Sequence, residues 1–197
     1  MKNKWCLAFA LVIGLSACGS EIVTWQEEAK QADGSILLLE RTIRIGGGHE
    51  IGQSAPVASE SISFIHPKTG KKITWNSPTD LLMSVDPMLV QLDGDRTLVL
   101  VAPRSSVDLD HYGQPCPPFV LQEIRNGKIE NKPAQELLEK FRFMNLVFYP
   151  KIKKTLQRIK EEKFLSVNVI RDINSGGTNK KLMAIDYSYK PNSYKCE

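Results

Sequence analysis

Four turn signals between extended runs constrain the fold of this chain more than any other feature of its sequence. They are Asp33-Gly34, Pro67-Lys68-Thr69-Gly70, Asp93-Gly94-Asp95 and Asn126-Gly127. Short turns of this composition between apolar runs are typical of β-hairpins, and Asn-Gly favours the type I′ turn. The sequence therefore predicts four successive antiparallel hairpins.

The strands of these hairpins are predicted from the apolar runs that flank the turns. They cover Ile22–Lys30 and Ser35–Ile45, Ser61–His66 and Lys71–Trp75, Met88–Leu92 and Arg96–Ala102, and Phe119–Arg125 and Lys128–Asn131. The strand Ser35–Ile45 has apolar side chains at both parities, which favours a central position, and Leu98–Val101 reads as buried on both faces. Phe64 and Trp75 are predicted core residues, and Gly46–Glu60 is predicted to be a flexible loop.

The C-terminal third changes character and favours helices. Pro133 is predicted to open a helix that runs to Asn145, and a second helix is predicted over Lys151–Phe164. Ser166–Ile173 and Lys181–Tyr189 read as two closing strands. The predicted fold class is α+β, mainly β: antiparallel hairpins in a meander, then one or two helices and a C-terminal β-hairpin. The composition, 42% hydrophobic and 24% charged, fits one folded domain.

The N-terminus has the pattern of a secretory signal peptide. Lys2 and Lys4 precede the apolar run Trp5–Ile13, which is far below the ~20 apolar residues of a stable membrane-spanning helix. The residues Leu15-Ser16-Ala17-Cys18 then closely resemble the lipobox of bacterial lipoproteins.

This resemblance implies cleavage before Cys18 and attachment of acyl chains, such as palmitate, to that residue. Residues 1–17 would be the signal peptide, 18–22 a lipidated tether and 23–197 a single mainly-β domain. Gly19 stands where inner-membrane retention typically involves Asp, so the resemblance implies an outer-membrane anchor facing the periplasm. Several acyl CH₂ groups at ~0.8 kcal/mol each make such an anchor stable.

The cysteines give a second expectation that depends on this anchor. With Cys18 lipidated and Cys6 lost with the signal peptide, Cys116 and Cys196 remain as one pair. An exported compartment permits disulfides, so we expect a Cys116–Cys196 bridge. The alternative is two free thiols. A metal site is disfavoured because neither cysteine lies in a CxxC motif.

The segment 103–118 is the candidate recognition loop. Its length is unusual for a connection without structure of its own, and such loops are often functional. It contains Arg104, Asp108, Asp110, His111 and Tyr112. Tyrosine and arginine are common interface anchors. The alternative is a crossover connection that prolines and the disulfide stiffen.

A basic segment over residues 140–163 is the second candidate surface. Eight lysines and arginines stand there against Glu161 and Glu162. On a lipid-tethered protein this segment could contact an envelope protein or an anionic membrane surface. The alternative is a solvated helix face. No nucleic-acid partner is expected, because the exported side of the envelope contains little nucleic acid.

No familiar catalytic motif is present, among them HExxH, GxSxG, Walker A and GxGxxG after a strand. We therefore expect a non-enzymatic envelope lipoprotein that binds a protein partner or an envelope component, without cofactor or metal. Two alternatives stay open. One is a small-ligand or metal-binding lipoprotein that uses His49, Asp108, Asp110 and His111. The other is a cell-envelope hydrolase with a site assembled from distant residues.

Overall fold

The computed structural model describes residues 20–47, 55–79, 85–134, 143–148 and 152–175. The strands are β1 Glu21–Lys30, β2 Ile36–Ile45, β3 Val57–Ile65, β4 Lys72–Asn76, β5 Asp86–Asp93, β6 Arg96–Ala102, β7 Val120–Arg125, β8 Lys128–Pro133 and β9 Phe164–Leu165. The helices are α1 Ser106–His111, α2 Ile152–Glu162 and α3 Val167–Ser175. The predicted class, α+β and mainly β, is confirmed, and so are the four hairpins.

The first sheet has the strand order β4-β3-β2-β1-β9. Its β1–β2 hairpin closes at Asp33, whose carboxylate accepts a hydrogen bond from the backbone N–H of Ser35 at 2.9 Å. Strand β2 is central, as predicted. Its residues nevertheless alternate between buried and exposed, so only one face of it is covered by described residues. Ile36 and Leu38 remain about half exposed on the other face.

The second sheet has the order β5-β6-β7-β8, and all its described pairings are antiparallel. Residues Leu98–Val101 of β6 are all buried, which confirms the strand predicted to be covered on both sides. At the β7–β8 turn, Asn126 has φ 53° and Gly127 has φ 74°. Positive φ at both central residues defines the predicted type I′ turn.

The inner face of the first sheet is covered by two different partners. In one half, Ala29, Leu37, Phe64 and Trp75 pack against side chains of the second sheet, so the two aromatic residues are core residues as predicted. In the other half, which contains the first residues of β1, apolar side chains pack against α2 and α3. That set comprises Val23, Trp25, Ile43, Ile45 and Val57 against Leu156, Ile159 and Ile170.

Amide side chains join the sheets at the edge of β5. Gln31 donates to the carbonyl of Val90 at 3.2 Å and accepts from the N–H of Leu92 at 2.9 Å. Asn145 accepts from the N–H of Val90 at 2.9 Å and donates to the carbonyl of Lys30 at 3.1 Å. These bonds occupy an edge whose backbone groups would otherwise invite pairing with another chain.

Three expected boundaries are wrong. Glu21, expected in the tether, belongs to β1, one residue before the start of the predicted strand, and residues 57–60, expected in a loop, belong to β3. Pro133 does not open a helix: it ends β8 opposite Val120, on the outer strand of the described sheet, where a missing N–H is tolerated. Residues 134 and 143–145 of that predicted helix are not helical, and residues 135–142 lie outside the described residues.

The predicted strand Ser166–Ile173 is also wrong, because this segment forms α3. Val169, Ile170 and Ile173 lie on one helical face and pack in the cluster that covers the β1 end of the first sheet. The N–H of Ile170 donates to the carbonyl of Ser166 at 2.9 Å, which begins the helix. The β-branched residues favour a strand locally, and tertiary burial overrides that preference.

Helix α2 confirms the helix predicted over Lys151–Phe164, although Phe164 itself begins β9. Other predictions lie outside the described residues: the signal peptide, Cys18 and the strand Lys181–Tyr189. Among the described helices, none has the length and apolar character needed to cross a bilayer.

Candidate functional site

The segment between β6 and β7 contains the recognition residues predicted from the sequence, and part of it is helical. Ser105 has extended backbone angles, and its hydroxyl accepts from the N–H of Asp108 at 3.1 Å. The same hydroxyl donates to the Asp108 carboxylate at 2.6 Å. Serine at this position is a favoured N-cap, so helix α1 interrupts the loop that was expected over 103–118.

Asp108 does not lie on the recognition surface. It is 1% exposed, and the next residue, Leu109, is 3% exposed, so this side of α1 faces the protein. The carboxylate serves the helix cap, and burial removes it from contact with a partner. The expectation that Asp108 is a surface recognition residue is therefore wrong.

Arg104 anchors the segment to the second sheet. Its Nε donates to Oδ1 of Asp86 at 2.9 Å, and both side chains are mostly buried. Burial raises the pKa of Asp86 above its ordinary value, and the Arg104 guanidinium opposes that rise. Arg104 thus holds the start of the segment on β5 instead of reaching outward.

The outward side of α1 is formed by Val107, Asp110 and His111. Their spacing of three and four residues places them on one helical face, and all three are exposed. The sequence analysis missed Val107, which is 56% exposed and is an apolar side chain on a polar surface. The ring of His111 lies edge-on to that of Tyr112 at 5.0 Å between centroids, and Tyr112 packs against the core between the sheets.

The end of the segment carries Cys116. The other cysteines of the chain all lie outside the described residues, so a bridge between Cys116 and Cys196 stays a prediction. Arg104 and the N-cap at Ser105 restrain the start of the segment.

The alternative metal or small-ligand site is not assembled by the described residues. Asp108 is buried in the cap of α1, and Asp110 accepts from the side chain of Gln114 at 2.7 Å. His49 lies outside the described residues. Within the described ranges there is no group of three or more His, Cys, Asp or Glu side chains that could hold a metal ion.

A buried ion-pair triad of Glu27, Arg41 and Glu60 lies on the inner face of the first sheet. Nη1 of Arg41 donates to Glu27 and to the carbonyl of Val147, both at 2.9 Å. Nε of Arg41 donates to Glu60 at 2.9 Å, and Nη2 donates to the same carboxylate oxygen. The three charged side chains are fully buried.

The indole of Trp25 completes this arrangement. It donates to the second oxygen of Glu27 at 2.9 Å, and the guanidinium carbon of Arg41 lies 5.0 Å from the centroid of its ring. The sequence analysis missed the triad, although a signal was present. In β2, Arg41 has the same parity as the buried Leu39 and Ile43, which places it on the inner face.

The basic segment is partly neutralised where it is described. Arg158 pairs with Glu162 at 2.7 Å and with Asp172 at 2.5 Å. Lys160 pairs with Glu21, the first residue of β1. Lys153, Lys154 and Lys163 are exposed and have no ion pair within the described part of the chain.

Comparison with known proteins gives no relative: no family model, no curated protein and no solved structure matches this chain.

Proposed function

We propose that this protein is a non-enzymatic lipoprotein of the bacterial cell envelope, anchored through acyl chains on Cys18, whose folded domain binds a protein partner or another envelope component. The observation that carries the proposal is the lipobox-like sequence Leu15-Ser16-Ala17-Cys18. The absence of Asp at position 19 supports an outer-membrane location facing the periplasm. Strand β1 starts at Glu21, so the domain would sit directly on its anchor.

The exposed face of α1 is the surface we propose for partner binding. Val107, Asp110 and His111 combine an apolar contact, a carboxylate and an imidazole on a backbone that is already ordered. A surface fixed before binding loses less conformational entropy when a partner docks. The Arg104–Asp86 pair supports that order at the start of the segment, and the proposed disulfide of Cys116 would add to it at the end.

We further propose that Cys196 is the partner of Cys116. Such a bridge would tie the C-terminal end of the chain to the α1 segment. Proteolysis of unreduced protein followed by mass spectrometry is expected to give one linked peptide containing both residues. A Cys116 peptide linked to any other cysteine would refute the pairing.

The anchor is tested by mass spectrometry of the N-terminal peptide of protein purified from membranes. We expect a mature chain that begins at an acylated Cys18. An unmodified chain that begins at Met1 would refute the lipoprotein assignment.

The binding function is tested by crosslinking in the native envelope and by identification of the captured molecules. We expect one dominant protein partner, and we expect its capture to fall strongly in the variant Val107→Asp. Ile129→Asp is the matched control, because Ile129 is an exposed aliphatic side chain on β8, away from α1. Equal loss in both variants, or capture of lipid and diffuse neighbours only, would refute partner binding through α1. A melting temperature that rises with divalent ions would favour the metal-binding alternative.

A further inference from the structure

We propose that the end of the domain around Glu21 faces the membrane and that the exposed lysines of α2 contact anionic lipid headgroups there. This inference rests on the proposed acylation of Cys18 and assigns the orientation of the anchored domain. The proposed occupant is an anionic bilayer surface. The lysines concerned are Lys153 and Lys154.

The distance from the anchor to the fold is short. Ser20 packs tightly on Gly46: a Cβ added to that glycine would lie 3.1 Å from the Cα of Ser20. Cys18 lies two positions before Ser20, with Gly19 between them, and an extended chain spans at most ~3.6 Å per residue. The Cα of an acylated Cys18 would therefore lie within about 7 Å of a fixed point on the first sheet.

Helix α2 lies at this same end of the domain. Lys160 pairs with Glu21, and Leu156 and Ile159 pack on Val23 and Ile45. The helix has 11 residues and is about 16 Å long, so all its lysines lie close to the Lys160–Glu21 contact. The anchor and the basic helix would thus approach the same plane.

The charges at this end favour an anionic surface. Arg158 is neutralised by two carboxylates, whereas Lys153 and Lys154 have none within ion-pair distance in the described ranges. Basic residues beside an anionic leaflet are attracted within about one Debye length, ~8–10 Å at physiological salt. Ile22, 67% exposed and next to Glu21, adds an apolar contact at the same end.

The chain contains an internal control for this orientation. Lys71 and Lys72 are also neighbouring exposed lysines, but they lie at the other end of the first sheet. The strand register places Lys72 level with Glu28. At ~3.3 Å per residue, that level is about 23 Å along β1 from Glu21.

The test is amine-reactive labelling of the lipidated full-length protein in two kinds of vesicle, read by mass spectrometry at each lysine. One vesicle is pure phosphatidylcholine, and the other contains phosphatidylcholine mixed with phosphatidylglycerol. We expect labelling of Lys153 and Lys154 to fall roughly fivefold in the anionic vesicle, the factor that matches the usual attraction of one lysine. We expect Lys71 and Lys72 to react equally in both vesicles. High salt should restore the labelling.

The same digest reports the state of Cys18, so the two proposals can fail separately. An acylated Cys18 with equal labelling of α2 in both vesicles overturns the orientation and leaves the anchor intact. An equal fall in labelling of the α2 lysines and of Lys71 and Lys72 in the anionic vesicle overturns the proposed orientation as well. A Cys18 without lipid overturns the anchor and, with it, this inference.

Discussion

Replacing Arg41 with methionine tests whether the buried triad is a compensated charge network. The guanidinium donates to Glu27, Glu60 and the carbonyl of Val147, and all three charged side chains are fully buried. Methionine fills similar space and donates nothing. Glu27 and Glu60 then lose the guanidinium charge that they share, while Glu27 keeps the hydrogen bond from the neutral indole of Trp25.

The expected loss is large. Removing one partner of a buried ion pair typically costs about 3–5 kcal/mol, because the charge left behind has neither water nor a counter-ion. For a domain of this size such a loss lowers Tm by roughly 6–20 °C. The matched control is Arg44→Met, since Arg44 is exposed on the same strand, where substitutions usually change stability by about 0.5 kcal/mol or less.

The assay is urea unfolding of the full-length protein in detergent, followed by tryptophan fluorescence. Trp25 and Trp75 are both buried and report on the first sheet. The triple variant Glu27→Gln, Arg41→Met, Glu60→Gln should recover most of the loss, because no charge remains buried while the Trp25 indole keeps an acceptor. Equal stability of the Arg41→Met and Arg44→Met proteins would refute the reasoning.

Three smaller predictions use the same unfolding assay. Burial raises the pKa of Asp86, so its contribution to stability is present below the ordinary aspartate pKa and is lost as pH rises through the raised value. In the variant Asp86→Asn, the free energy of unfolding should fall less over this pH range. The same pH profile in both proteins would contradict the prediction. Asn174→Ala removes two hydrogen bonds to residues 143–148 and should cost about 2 kcal/mol, whereas the exposed Asn168→Ala should not. Gly127→Ala places a side chain at φ 74° and should cost about 1 kcal/mol; no loss would argue against the type I′ turn.

The hairpins could be predicted from the sequence because each is specified locally. Gly34, Asn126 and Gly127 adopt the positive φ values that their turns require, and the flanking residues need no distant contact to pair in register. Helix α3 could not be predicted in this way. Its segment contains β-branched residues, which locally favour a strand. The helix is stabilised by packing on the half of the first sheet that contains the first residues of β1.

The recognition segment shows a similar limit. The pattern Ser105-x-x-Asp108 is a helix-capping signal, and it was available in the sequence. The exposure of the side chains could not be predicted from the sequence, because burial of Asp108 and exposure of Val107 depend on which side of α1 faces the rest of the protein. Asp108 was therefore predicted on the surface from its residue type alone, whereas in the structure it is buried and bonded to the N-cap residue Ser105.

The triad lies between these two cases. Strand parity places Arg41 on the inner face, and the β1–β2 register sets it opposite Trp25, which makes Glu27 its diagonal neighbour. That much follows from the hairpin alone. Glu60 approaches only through the pairing of β2 with β3, which places Arg41 opposite Ile62 across a connection whose length does not fix the register. Local pattern thus predicts one buried carboxylate beside Arg41, and the second requires the assembled sheet.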